Sequence, residues 1–267
     1  MARPLRINVT NGWYHITARG QNRERIYWVT RDRRHFLELV KEMTKRFGVE
    51  VHAYVLMSNH YHLLIRTPRA NASRALQWLN QSYGMWWNLR HGRTGHVFQG
   101  RFKSILIEGG GWVLDLSFYL HFNPVAVKAL GWGKREKKAE GAGLVLPTAE
   151  ILQKRLETLR EYLWSSYRGY AGYEDIPDWL STQEVLSRVK DGREGYRHRA
   201  EEQMGQGVEE SIWSKLKWGA VLGGEAFAES IRRGANVLRE TRKRSELKRE
   251  TSWEAIVEAG ERGKGAT

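Results

Sequence analysis

The strongest constraint in this chain is a pair of strand-like runs, residues 49–57 and 60–66, separated only by Ser58-Asn59. Two extended segments joined by two polar residues fold back as a tight antiparallel hairpin. The flanking segments then decide the fold. Residues 12–19, GWYHITAR, alternate in a β-rich composition and read as a strand ended by the turn-prone Gly20-Gln-Asn22. From Thr30, the expected N-cap, Phe36, Leu37, Val40, Met43 and Phe47 recur at helical spacing until Gly48 stops the run. A second helix over residues 72–89 carries Leu76, Leu79, Tyr83 and Trp86 or Trp87 on one face. Phe98 and residues 101–108 read as a further strand, and residues 112–122 as a third helix closed by Pro124. The order β-α-β-β-α-β-α predicts an α+β fold, a ferredoxin-like antiparallel sheet with packed helices, followed by a mostly helical C-terminal region.

That sheet domain is expected over residues 1–130. Residues 131–147 begin with glycine and dense charge without apolar periodicity, and read as a linker or exposed loop. Residues 148–183, a helix over 148–162 and the aromatic run YLWSSYRGY, read as a helical extension of the first domain. Residues 184–267 are basic and helical, and Ser252-Trp-Glu-Ala-Ile-Val-Glu258 reads equally as the opening of a helix of a partial DNA-binding module or as a frayed basic helix.

Composition narrows the chemistry. The chain has 267 residues, 41% of them hydrophobic, enough to bury a core. Its 44 Lys+Arg against 30 Asp+Glu give a formal charge of +14, which favours a polyanionic partner, nucleic acid before a membrane surface. The absence of cysteine excludes disulfides, thiolate zinc sites, iron–sulfur clusters and cysteine nucleophiles. No apolar run approaches the roughly 18–20 residues of a membrane helix, and the N-terminus lacks the apolar core of a signal peptide. The expected location is cytoplasmic, with the nucleoid.

Two constellations carry chemistry. His60 and His62 lie two apart on a strand, so both imidazoles project from one face and can close on a single metal; the same pattern also suits two exposed or hydrogen-bonded histidines. Tyr119 and Asn123 are four apart and share a helix face near the end that Pro124 imposes. An amide oxygen there suits a hard ion such as Mg²⁺ or Mn²⁺, but packing and helix termination account for the pair as well. Tyr83 and Tyr54 read as core, and His15 as packing or a phosphate contact. Arg90, Arg93, Arg101 and Lys103 surround the Gly-containing segment before the last strand and together read as a phosphate-binding rim. Arg3 and Arg6 form a short basic arm. Trp86-Trp87 and the Trp164, Tyr167, Tyr170 group read chiefly as core.

SNHYHLLI, HGRTGHVFQGRFKSILI, FYLHFNPV and YLWSSYRGY, in this order across most of residues 5–180, resemble the single-tyrosine HUH transposases, most closely their REP-associated tyrosine transposase branch. Tyr61 stands at the usually aliphatic middle position of the HUH motif. The resemblance implies that His60 and His62 bind a divalent metal, Mg²⁺ or Mn²⁺, with Asn123 a candidate third ligand. It implies that Tyr119 attacks DNA to leave a 5′-phosphotyrosine and a 3′ hydroxyl. The implied activity is nicking and strand transfer on single-stranded, hairpin-forming repeat DNA. One tyrosine per chain makes the enzyme a monomer using its site sequentially or a homodimer, and members of the family favour the dimer. The competing expectation is a non-catalytic DNA- or RNA-binding protein that retains the scaffold. A metallohydrolase of small molecules is disfavoured by the charge.

Overall fold

A computed structural model describes residues 7–206 and 212–244. The central sheet contains β1 (Gly12–Arg19), β2 (Glu50–Leu56), β3 (His60–Thr67) and β4 (Lys103–Ile107), in the order β2-β3-β1-β4 with every neighbour antiparallel. This is the ferredoxin-like plan expected from the sequence. The crossover helices α1 (Thr30–Phe47) and α2 (Ala72–His91) pack side by side on one face. Gly48 and Gly92 end them in the left-handed region, φ 64° and 60°.

Strand alternation sorts the side chains between faces. Tyr61 turns toward the two helices, its ring 4.7 Å from Phe36 and its hydroxyl donating to Asn80 Oδ1 at 2.7 Å. Tyr83 is buried there too and donates to the Ile26 carbonyl, as its core assignment requires. The opposite face carries His60 and His62 and is covered by α3 (Gly111–His121), which packs on β2 and β3.

The structure corrects three expectations. Thr30 is the first helical residue of α1 rather than its cap. The buried Asp32 carboxylate instead accepts from the Trp28 and Val29 backbone amides at 2.7 and 3.0 Å.

Residues 131–147 are more than a linker, for Lys134–Gly141 forms helix α4 and both Trp132 and Glu140 are buried. The reason lies in α5 (Ala149–Glu161), capped by the Thr148 hydroxyl. From α5 the buried Arg155 grips both Glu140 carboxylate oxygens at 2.9 and 2.7 Å, donates to the carbonyls of Leu130, Gly131 and Met204, and lies 5.1 Å over the Trp132 ring. A single long-range ion pair leaves no periodic trace in a sequence.

The C-terminal region is not wholly helical. Beyond α6 (Tyr167–Ala171), α7 (Gln183–Leu186) and α8 (Gly192–Gln206), the short strands β5 (Leu216–Lys217) and β6 (Val221–Leu222) extend the sheet, β6 pairing parallel to β4; α9 (Glu225–Arg244) follows. The predicted helix around 252–258 and the arm carrying Arg3 and Arg6 lie outside the described residues.

The outer edge of β2 is occupied as well: Leu56 N–H donates to Trp164 O, and Ser166 and Ser181 donate back to Tyr54 and Val51. Covered edges remove a template for unwanted strand addition. Among the described residues, no helix is long and apolar enough to cross a membrane.

Removing Glu140 leaves a buried guanidinium without its anion, so Glu140→Ala should cost about 3–5 kcal/mol. Urea denaturation would show this as a lowered midpoint, whereas Glu150→Ala, which breaks the exposed pair with Lys154, should leave the midpoint unchanged.

Candidate active site

The β1–β3 register sets Thr17 opposite His62 and Arg19 opposite His60, with His15 one step further along the same face. His15 Nε2 lies 2.8 Å from His62 Nδ1, their rings stacked with centroids 5.1 Å apart. The His60 and His62 rings are 5.0 Å apart. His60 Nδ1–H donates to the Asn59 amide oxygen at 2.7 Å, which leaves the Nε2 lone pair of His60 uncommitted. When His62 Nδ1–H donates into His15 Nε2, His62 presents the same free Nε2. A histidine whose far nitrogen is held by a hydrogen bond is oriented as a metal ligand requires.

Helix α3 closes the site. The Tyr119 ring meets His15 and His62 edge-on, at centroid distances of 5.9 and 6.0 Å. Asn123 donates its amide nitrogen to the Tyr119 and Leu120 carbonyls at 2.8 and 3.4 Å, tying the residues after the helix to the turn that carries Tyr119. From the short 3₁₀ turn Ile212–Lys215, Trp213 packs 4.9 Å from Tyr119 and 5.0 Å from His15, and it hydrogen-bonds Tyr119. As an indole N–H is donor only, the phenol oxygen accepts.

Burial governs the ionisation of these groups. It pushes His15 down to about 3, and it pushes His60, helped by the Arg19 cation, down to about 4. His62 lies well below the usual histidine range, first through burial and then through His15, His60 and Arg19. The three imidazoles are therefore neutral near pH 7, the form that binds metals. Burial raises Tyr119 while the Trp213 hydrogen bond opposes the rise. Among the described residues, no three His, Asp or Glu side chains gather as a metal site. An ion at His60 and His62 would complete its shell with oxygen donors.

Arg90 and Arg93 lie at the end of α2, and Arg101 and Lys103 lead into β4. Connectivity puts all four at the sheet end where β1 finishes and His60 begins β3. Arg90 is shared with Asp32 at 3.5 Å and Arg93 with Glu24 at 3.4 Å, whereas Arg101 and Lys103 are exposed. His15, Arg19 and Trp213 are the site neighbours that sequence reasoning missed or undervalued. Alternation could have placed His15 and Arg19 on the histidine face once β1 and β3 were paired. Nothing local marks Trp213.

The site thus gathers His15, His62 and Tyr119, with His60 beside His62, on one face of a ferredoxin-like sheet. Residues 8–120, which span all four strands and reach Tyr119 and Leu120, match the family described as Transposase IS200 like. The match covers less than half of the chain and agrees with the motifs of that segment. Among solved structures the chain is similar to one titled "Structure of the REP associates tyrosine transposase bound to a REP hairpin", with a TM-score of 0.46 and 15% identity over 68% of this chain and 92% of that chain. No curated protein matches the sequence significantly.

The depressed histidines imply a pH dependence of folding. His15, His60 and the buried His121, pushed down to about 3, stay neutral in the folded protein while their unfolded counterparts protonate near 6.5. The unfolded state thus binds more protons as pH falls below 6.5. Stability should be complete above that value and decline toward pH 4, by on the order of 1 kcal/mol per pH unit for each histidine. Urea titrations of the metal-free protein at pH 7, 6 and 5 check the sign; a midpoint that rose on acidification would contradict it.

Proposed function

We propose that the chain is a metal-dependent single-strand DNA endonuclease and strand transferase that acts on hairpin-forming repeat DNA, as in the REP-associated branch its motifs resemble. The observation that carries this reading is Tyr119 set edge-on against His62, with His60 beside His62 on the same sheet face. The fit to a divalent ion rests on the paired imidazoles, both neutral near pH 7; Asn123 is proposed as a further oxygen ligand. A bound Mg²⁺ or Mn²⁺ supplies Lewis-acid stabilisation of charge on the scissile phosphate.

The protein's own groups account for the remaining steps. Arg19, beside His60, together with Arg101 and Lys103 holds the strand by its phosphates, supplemented by Arg90, Arg93 and the arm at Arg3 and Arg6. Tyr119 loses its proton and its oxygen attacks phosphorus. The bond from phosphorus to the 3′ oxygen breaks, that oxygen takes up a proton, and the 5′ end remains on Tyr119 as a phosphodiester. Because the adduct keeps the diester, a new 3′ hydroxyl reverses the step without ATP and completes strand transfer. The enzyme acts as a monomer or homodimer, on DNA in the cytoplasmic nucleoid.

Incubation of labelled hairpin DNA with the protein and Mn²⁺ should give a covalent adduct that resists denaturation. Tyr119→Phe should abolish it, and an adduct that persisted would remove Tyr119 as the nucleophile. Absence of nicking by the unaltered protein under every metal condition would favour a binding protein on a retained scaffold. His15→Ala removes the partner of His62 Nδ1 and should weaken Mn²⁺ binding at least about tenfold in a calorimetric titration.

A further inference from the structure

Trp28 stands two residues before α1 with 45% of its surface exposed, yet it is held firmly. Its backbone amide donates to the Asp32 carboxylate at 2.7 Å, and its ring lies 4.9 Å from Trp87 and 4.6 Å from His91, both in the last turns of α2. Trp87 is only 4% exposed, so the outer indole leans on an anchored one. His91 is fixed in turn by Asp32, 3.1 Å from its Nε2. Above this pair, the Arg93 guanidinium sits 5.9 Å from both indole centroids. Its carboxylate partner, Glu24, is itself solvent-exposed, and an exposed pair of that kind exchanges readily for a phosphate.

The surroundings are strongly cationic. Residues 19–34 contain six arginines against Glu24 and Asp32, and Asp32 is fully buried. The platform also adjoins the histidine site. Ile26 N–H donates to Ser58 O at 3.0 Å and Asn59 Nδ2 donates to Arg23 O at 2.9 Å, so the segment leading to Trp28 is joined to the turn that precedes His60. Trp28 and His60 each lie two residues beyond one end of the Ile26–Ser58 hydrogen bond, hence no more than roughly 17 Å apart along the backbone.

We infer that Trp28, roofed by Arg93, is a stacking site for an unpaired base of single-stranded DNA entering the His60–His62 site. The inference rests on the single-strand reading given above. A flat, preorganised indole beside a cation takes any base by its π-face while the guanidinium takes the adjoining phosphate. The arginine excess around the ring disfavours an apolar protein partner.

The test is equilibrium binding of labelled single strands in EDTA to full-length protein carrying Tyr119→Phe, so that cleavage does not enter. Adding Trp28→Ala should weaken single-strand binding about tenfold or more. Trp28→Phe, which keeps a ring, should stay within about threefold, and binding of blunt duplex should not change. In a series of strands with one abasic position each, a single position should weaken the Trp28-containing protein by the same factor while leaving the Trp28→Ala protein unaffected. Equal binding with and without Trp28, or a loss from Trp28→Ala that is the same for every abasic strand, would overturn the site. If Trp28→Ala does not fold, Trp28→Leu against Trp28→Phe reads the same difference. Adduct formation by the unaltered protein is scored separately. With the adduct present and Trp28 without effect, only the stacking site falls; with neither strand binding nor adduct, both readings fall.

Discussion

The antiparallel pairing of β1 with β3 is the constraint on which everything else depends. It sets Thr17 against His62 and Arg19 against His60, and so brings His15 within hydrogen-bonding distance of His62. Because side chains alternate with a period of two, a slip of one residue would carry the histidines into the helical layer and Tyr61, Leu63 and Ile65 out of it. The apolar residues behind the sheet thus hold the polar ones in front of it. The Tyr61 hydroxyl, bonded to Asn80 on α2, adds a polar lock on the same register.

Helix α3 is secured from its other side. His121, two residues after Tyr119, is buried between the Ser166 hydroxyl at 2.7 Å and the Tyr196 hydroxyl at 2.8 Å, and Tyr196 also meets Ser117 at 2.8 Å. One helix therefore presents Tyr119 to the histidines while its opposite face is anchored to α8 and to the strip beside β2. The segments beyond residue 130 support the site and, through Trp213, enter it. The buried Arg155–Glu140 pair holds that supporting layer together.

Much of the fold was legible because it is written in local periodicity. The hairpin, the three helices of the first half, the strand order and the facing of His60 and His62 all follow from alternation, helical spacing and turn residues. Tyr83 and Tyr54 could be set aside as core on the same grounds. Elements held by single distant partners were not legible: α4 depends on Arg155, the start of α1 on a carboxylate two residues inside the helix, and β5 and β6 are two residues long, below the reach of any periodic signal.

For the site, the sequence by itself determined the chemistry available: two imidazoles two apart, one tyrosine and one amide near a proline-ended helix, a strong cationic excess and no thiol. Local spacing decides which side chains share a face, so these could be named in advance. Only the tertiary structure decided which groups meet. The contact of His62 Nδ1 with His15 Nε2, the donation of Trp213 to Tyr119, and the setting of Trp28 on Trp87 beneath Arg93 each join residues dozens of positions or more apart. Their physical cause is burial and register across the sheet, which no local pattern encodes.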